Sequence, residues 1–189
     1  MYDSDLSDAE WATLQAVWPA RSTRGTRPKW PRRRIMDAIM YVLRGTIAWR
    51  ALLKEFPPWQ TVFYHFRRMR LSGIWKRVNT ALRQQYRVQI GRTADPHATV
   101  IDSQSAKTTE VGDQRGFDGN KKIKDRKRHL LVDTLGRLLK VVVHPASLQD
   151  RQGGRLLVEA IKGELPTLNK IWADQGYTGA FRTWANAPL

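Results

Sequence analysis

The stretch ATVIDSQSA, residues 98–106, begins with four apolar or β-branched residues and then meets a carboxylate at Asp102. Such a run, Ala98 to Ile101, reads as a short buried strand from which Asp102 emerges. NKIWADQGYTG at 169–179 repeats the pattern: KIWAD at 170–174 is a buried strand that ends on Asp174. The two aspartates are 72 positions apart (174 − 102 = 72). Between them, HLLVD at 129–133 and LLKVVVH at 138–144 flank the turn residues DTLG, 133–136, and predict a β-hairpin. DRQGGRLLVEAIKGEL, 150–165, then places Leu156, Leu157, Ala160, Ile161 and Leu165 on one helical face, with Pro166 closing the helix.

Strand, hairpin, helix, strand is the order of an α/β unit with a mixed sheet. If the first and last strands lie side by side and parallel, Asp102 and Asp174 converge at one edge. Converging carboxylates repel unless a cation sits between them. In a chain that handles phosphodiesters the natural cation is Mg²⁺ or Mn²⁺, bound through hard oxygen ligands. Two such ions about 4 Å apart can activate an attacking oxygen and stabilise a leaving one. An equally ordinary reading stays open, in which an aspartate after a strand forms an Asx-turn or caps the next helix.

Charge gives the partner. The 189 residues carry 33 Lys+Arg against 17 Asp+Glu, a net of +16, which suits a polyanion and most of all nucleic acid. The excess is uneven: residues 1–92 hold 18 Lys+Arg and 6 Asp+Glu, net +12, and residues 93–189 hold 15 and 11, net +4. The absence of cysteine excludes disulfides, zinc ribbons and thiol catalysis. IMDAIMYVL, 35–43, is too short to cross a membrane and contains Asp37, and the acidic start MYDSDLSDAEW is unlike a signal peptide. The expectation is a cytoplasmic protein acting on nucleic acid.

The front half is patterned as helices. Ser7 followed by Glu10 is a capping box, and Trp11, Leu14, Val17 and Trp18 recur at helical spacing, predicting a helix from about Asp8 to Trp18. The basic segment 21–34 reads as a solvated loop, and Pro31 marks the start of a helix with the stripe Ile35, Ile39, Val42 and Leu43. After FPPW, 56–59, a helix to about Arg70 turns Val62, Phe63, Phe66 and Met69 one way; Gln60, Thr61, Tyr64, His65, Arg67 and Arg68 offer a polar face. A last helix carries Ile74, Val78, Leu82 and Tyr86. Short helices with Gly or Pro joints fit an all-α, helix-turn-helix-like region over 1–92. Its expected DNA contacts are Arg32, Arg33, Arg34, Gln60, Tyr64, Arg67 and Arg68. The plainer alternative is a solvated basic face on an ordinary bundle. Trp49, Trp59 and Trp75 fall near apolar stripes and read as core anchors.

VIDSQSAKT, then GFDGNKKIKDRKRHLLVDTLGRLLKVVVHPASLQD, then IWADQGYTG resemble the catalytic core of bacterial insertion-sequence transposases of the DDE class, and more narrowly the insertion sequence five family. LSDAEW, PRRRIMDAIMYVLRGTIAWRALLKEFPPWQTVFYHFRRM and the following GIW resemble that family's helical front region. The resemblance implies an RNase H-like fold over 93–189 and metal-dependent cleavage and transfer of strands at DNA ends, with Asp102 and Asp174 as the first two acidic ligands of Mg²⁺ or Mn²⁺. Its implied partners are double-stranded DNA, both element ends and target, with assembly on paired ends. The run KKIKDRKRH, 121–129, matches the family's basic segment. Lys121, Lys122, Lys124, Arg126, Lys127 and Arg128 are therefore expected on DNA phosphates. His129 reads as structural, and the four histidines show no metal-type spacing.

The family's third ligand is a glutamate well beyond the second aspartate, and no acidic residue follows Asp174 here. Glu159 and Glu164 precede it and are expected on a solvent face. The expectation is an incomplete catalytic region. That fits a remnant, an upstream product of a frameshifted gene, or a short DNA-binding regulator of transposition. Binding to RNA is the remaining alternative, since charge does not distinguish the two nucleic acids.

Overall fold

The computed structural model describes residues 2–18, 29–107, 115–119 and 122–177. The chain divides into two compact units, Met1–Leu82 and Arg83–Leu189.

The first unit is helical. α1 (Asp8–Val17) starts at the expected capping box: Ser7 Oγ accepts from the Glu10 amide at 3.3 Å, and Glu10 Oε2 accepts from the Ser7 amide at 2.8 Å. α2 (Arg32–Gly45) follows Pro31 and ends where Thr46 takes a left-handed backbone at φ 49°. Its Ile35, Met36, Ala38, Ile39 and Val42 are buried, but Leu43 is exposed, because the buried arc is centred on Met36 and Ile39. Asp37 is buried too and accepts the Leu6 amide at 3.1 Å. α3 (Trp59–Leu71) starts behind Pro57 and Pro58 and buries Val62 and Met69. Phe63 is not in that core; it lies half out, edge-on to Trp49 at 5.4 Å. Trp49 and Trp75 pack against the core as expected, and Trp59 stacks under Arg50.

α4 (Ile74–Gln89) carries the division between the units. Ile74 and Val78 are buried, yet Leu82 and Tyr86 are exposed, contrary to the predicted stripe. Arg83 and Arg87 are buried in their place. The reason is electrostatic: within the second unit Arg87 Nη1 lies 2.7 Å from Asp133 Oδ2, and Arg83 Nη1 lies 3.7 Å from Asp95.

The second unit is α/β around a mixed sheet. β1 (Ala98–Ala106), β2 (Gly116–Asp118), β3 (Ile123–Asp133), β4 (Leu138–Pro145), α5 (Asp150–Glu159) and β5 (Lys170–Trp172) follow in order. β3 runs antiparallel to β1, β4 and β2, and β1 pairs in parallel with β5. β4, β1 and β5 therefore share a direction. A parallel pair needs a crossover, which α5 provides between β4 and β5. α5 packs Leu157, Val158 and, just past its end, Ile161 onto Ile101 and Leu131. Leu156, expected on that face, is exposed, and Val158 replaces it.

Two strands are longer than expected. β1 continues through SQSA, so Asp102 lies inside the strand and not at its end. β3 begins at Ile123 and not at His129, so most of the basic run is itself strand, alternating buried Asp125, Lys127 and His129 with more open Lys124, Arg126 and Arg128. The hairpin turn is as read: Asp133 Oδ1 accepts the Leu135 and Arg137 amides at 2.9 Å each, and Gly136 adopts φ 74°.

Candidate active site around Asp102 and Asp174

The parallel ladder pairs Ala98 with Lys170, Thr99 with Ile171 and Val100 with Trp172. That offset of 72 is also the offset between the two aspartates, which lie two residues beyond the last rung, Val100 with Trp172. Neighbouring strands lie about 4.8 Å apart. Both aspartates are exposed. Asp102 Oδ1 accepts the Ser103 amide at 2.7 Å and Asp174 Oδ1 accepts the Gly176 amide at 2.9 Å. Asp174 therefore does make the local turn contact considered above, with one of its two oxygens.

The other carboxylates of this unit behave differently. Asp95, Asp118, Asp125, Asp133, Asp150 and Glu164 each pair with Lys or Arg. Among the described residues Asp102 and Asp174 have no such partner, in a chain with 33 Lys+Arg. Solvent-facing Glu159 is the third without one; it lies on α5. No group of three or more His, Asp or Glu is arranged around a common metal position among the described residues. Two carboxylates still fit a divalent ion in their chemistry, because Mg²⁺ is commonly held by one or two carboxylates with water and substrate phosphate completing the shell.

Behind the pair lies a buried polar layer that the sequence did not announce. Tyr177, in the short 3₁₀ turn Gln175–Tyr177, is buried and its hydroxyl lies 2.7 Å from His129 Nδ1. Burial, and then the negative charges of Asp150, Asp174 and Asp102, push the phenol's pKa up against a hydrogen bond from Ser103 that lowers it. The hydroxyl therefore stays protonated and hydrogen-bonded with His129. His129 stacks on His144 with ring centroids 4.9 Å apart. Gly153 of α5 lies directly on this pair: a Cβ there would meet His129 Nε2 at 2.2 Å and His144 Nε2 at 2.5 Å.

Lys127, expected on DNA, is instead buried between Asp150 at 3.0 Å and Asp118 at 3.1 Å. Burial alone would lower its pKa; the hydrogen bonds it donates to Asp150 and Asp118 outweigh this and keep the ammonium charged. Its neighbours face out. Lys122 and Lys124 are exposed, Arg126 is half-buried, and Arg128 donates to Gln104 across the strands. Lys121 lies outside the described residues.

In the helical unit, Gln60, Tyr64, Arg67 and Arg68 of α3 are exposed, and the Arg67 side chain makes no hydrogen bond or ion pair among the described residues. Burial, then the charges of Arg68 and Arg32, lowers the pKa of half-buried His65, so that imidazole is neutral. Arg32, Arg33 and Arg34 are fasteners in this structure. Arg33 donates to Asp8 at 2.5 Å and to the Leu6 carbonyl at 2.7 Å. Arg34 donates to the Glu55 carbonyl and lies over Phe56, and Arg32 lies over Trp18.

Comparison with known families gives two matches. The model of the transposase DDE domain matches residues 93–187, half of the chain. The chain belongs to the DDE transposase family. A second model, describing transposases of the IS4/5 family, matches residues 6–79 of this transposase-family chain. No curated protein and no solved structure matches it. No helix among its described residues is long and apolar enough to cross a membrane.

Proposed function

We propose that this chain serves transposition of an insertion element, binding element-end DNA through its helical region, about residues 1–92, and presenting an RNase H-like catalytic region, about 93–189. The observation that carries the catalytic reading is the shared offset of 72 between the parallel ladder and the two aspartates, joined to their lack of a basic partner among the described residues. Asp102 and Asp174 would hold Mg²⁺ or Mn²⁺, which when bound supplies charge stabilisation for in-line attack at a phosphodiester. The exposed residues of α3, Gln60, Tyr64, Arg67 and Arg68, fit a helix-turn-helix-like contact with duplex DNA. Lys122, Lys124, Arg126 and Arg128 form the basic approach to the aspartates, and Lys127 supports them from beneath.

With two carboxylates and no third ligand among the described residues, the chain by itself binds DNA and carries out little strand transfer. A second reading is favoured by the backbone hydrogen bonds of Asp102 and Asp174: a non-catalytic DNA-binding regulator in which both are structural. Gel-shift and cleavage assays with terminal-repeat duplex, with and without Mg²⁺, test the proposal. Salt-sensitive duplex binding supports it, and a preference for single-stranded RNA contradicts it. Robust cleavage would contradict the inactivity of the isolated chain.

A further inference from the structure

We propose that Tyr177 is a positioning residue that holds Asp174 beside Asp102, an inference that rests on the carboxylate-pair reading above. The β1–β5 ladder ends at Val100 and Trp172, two residues short of each aspartate. Past that rung no backbone pairing fixes their separation, and two like charges there push apart. Tyr177 closes the gap from behind. Its amide donates to the Asp174 carbonyl at 3.2 Å, which ties the ring to the segment that carries Asp174. Its hydroxyl lies 2.7 Å from His129 Nδ1 and is hydrogen-bonded with the side chain of Ser103, the residue after Asp102. His129 is itself the cross-strand partner of Ser103.

One tyrosine thus ties the turn that carries Asp174 to the side chains of Ser103 and His129 on β1 and β3. The anchor is firm because His129 is fully buried, stacked on His144 and covered by Gly153. A wholly structural tyrosine in the apolar cluster would need the ring alone. Here the hydroxyl makes the connection, so Tyr177→Phe removes the latch and keeps the packing.

The natural chain has no cysteine, which allows a metal-free test. In the double variant Asp102→Cys with Asp174→Cys, adjacent parallel strands bring the two residues within reach of a disulfide. Cross-linking under a glutathione redox buffer is measured with Tyr177 and with Tyr177→Phe, alongside Mn²⁺ titrations of the wild type, Tyr177→Phe, Asp174→Asn and the Tyr177→Phe/Asp174→Asn double variant. We expect disulfide formation to fall about fivefold or more with Phe, and Mn²⁺ affinity to fall about tenfold in the wild-type background and not at all in the Asn background. Equal cross-linking with Tyr and Phe would overturn the latch, as would failure of the cysteines to cross-link at all. Cross-linking that depends on Tyr177 without Mn²⁺ binding would leave the latch standing and sink the metal reading alone.

Discussion

Val100 and Trp172 form the last rung of the parallel ladder, and each strand reaches an aspartate two residues later. Each strand thus leads to an acid without a basic partner among the described residues, in a unit whose other sheet-bound acids are neutralised by Lys or Arg. Prediction divides on that contrast. Asp118→Asn or Asp150→Asn, by stranding part of the buried Lys127 charge, lowers stability; Asp102→Asn leaves thermal stability within about 0.5 kcal/mol, as for an exposed surface change. Thermal denaturation of the three variants checks this. A large loss from Asp102→Asn would make that residue structural.

Arg67 and Lys127 separate DNA contact from internal support. Arg67→Ala should reduce duplex affinity and flatten the dependence of log K on log salt by about one unit of slope, the signature of one lost phosphate contact. Lys127→Met should act first on stability, because its ammonium is buried between Asp118 and Asp150. Gel shifts at several salt concentrations, set beside urea unfolding, distinguish the two. If Lys127→Met changed the salt slope with stability intact, the buried pairing would be the wrong account of that residue.

Gly153 is required by close approach, at a helical position where any side chain meets imidazole. A Cβ would be 2.2 Å from His129 Nε2, and both rings are held, one by Tyr177 and one by stacking. Gly153→Ala should cost about 1–3 kcal/mol through overpacking, despite alanine's better helix propensity. Denaturant midpoints read this directly; stabilisation would show that α5 does not lie on the histidines.

Asp133 sets an acid limit. Burial alone would raise its pKa, but the Arg137 amide, the Arg87 guanidinium and the Leu135 amide outweigh it and hold the carboxyl below the usual range. A depressed folded-state pKa contributes stability above the unfolded value, about 3.9, and that stability is lost as pH falls through the folded value. Asp133→Asn, which strands buried Arg87, should cost roughly 3–5 kcal/mol at pH 7, with the gap to wild type shrinking below about pH 4. Urea midpoints between pH 3 and 7 test both the size and the sign.

Much of this was legible in the residues. The capping box of Ser7 and Glu10 and the turn at Asp133 are local chemistry, and their hydrogen bonds formed as the sequence implied. The parallel pairing of the two aspartate-bearing strands, stated from the residues only as a condition, is formed. The lengths of β1 and β3 were not, because their buried side is completed by polar groups. Ser105 donates to Asp118 at 2.7 Å and Lys127 pairs with Asp118 and Asp150, so alternation survives in geometry but not in hydrophobicity. The same cause hid Arg83 and Arg87, which occupy the stripe expected for Leu82 and Tyr86. Tyr177 and Asp150 sat inside motifs already singled out, yet their roles arise from contacts 48 and 23 residues away in sequence.

The central claim is that Asp102 and Asp174 share one divalent ion. Mn²⁺ titration by isothermal calorimetry of the wild type, Asp102→Asn, Asp174→Asn and the double variant, with terminal-repeat duplex present to supply phosphate oxygens, tests it most directly. The account predicts one Mn²⁺ site that either single substitution weakens at least about tenfold, with the double variant little worse than each single, as expected for two ligands acting as a unit. Equal Mn²⁺ binding by all four proteins would contradict it and leave both aspartates as structural residues of a DNA-binding chain.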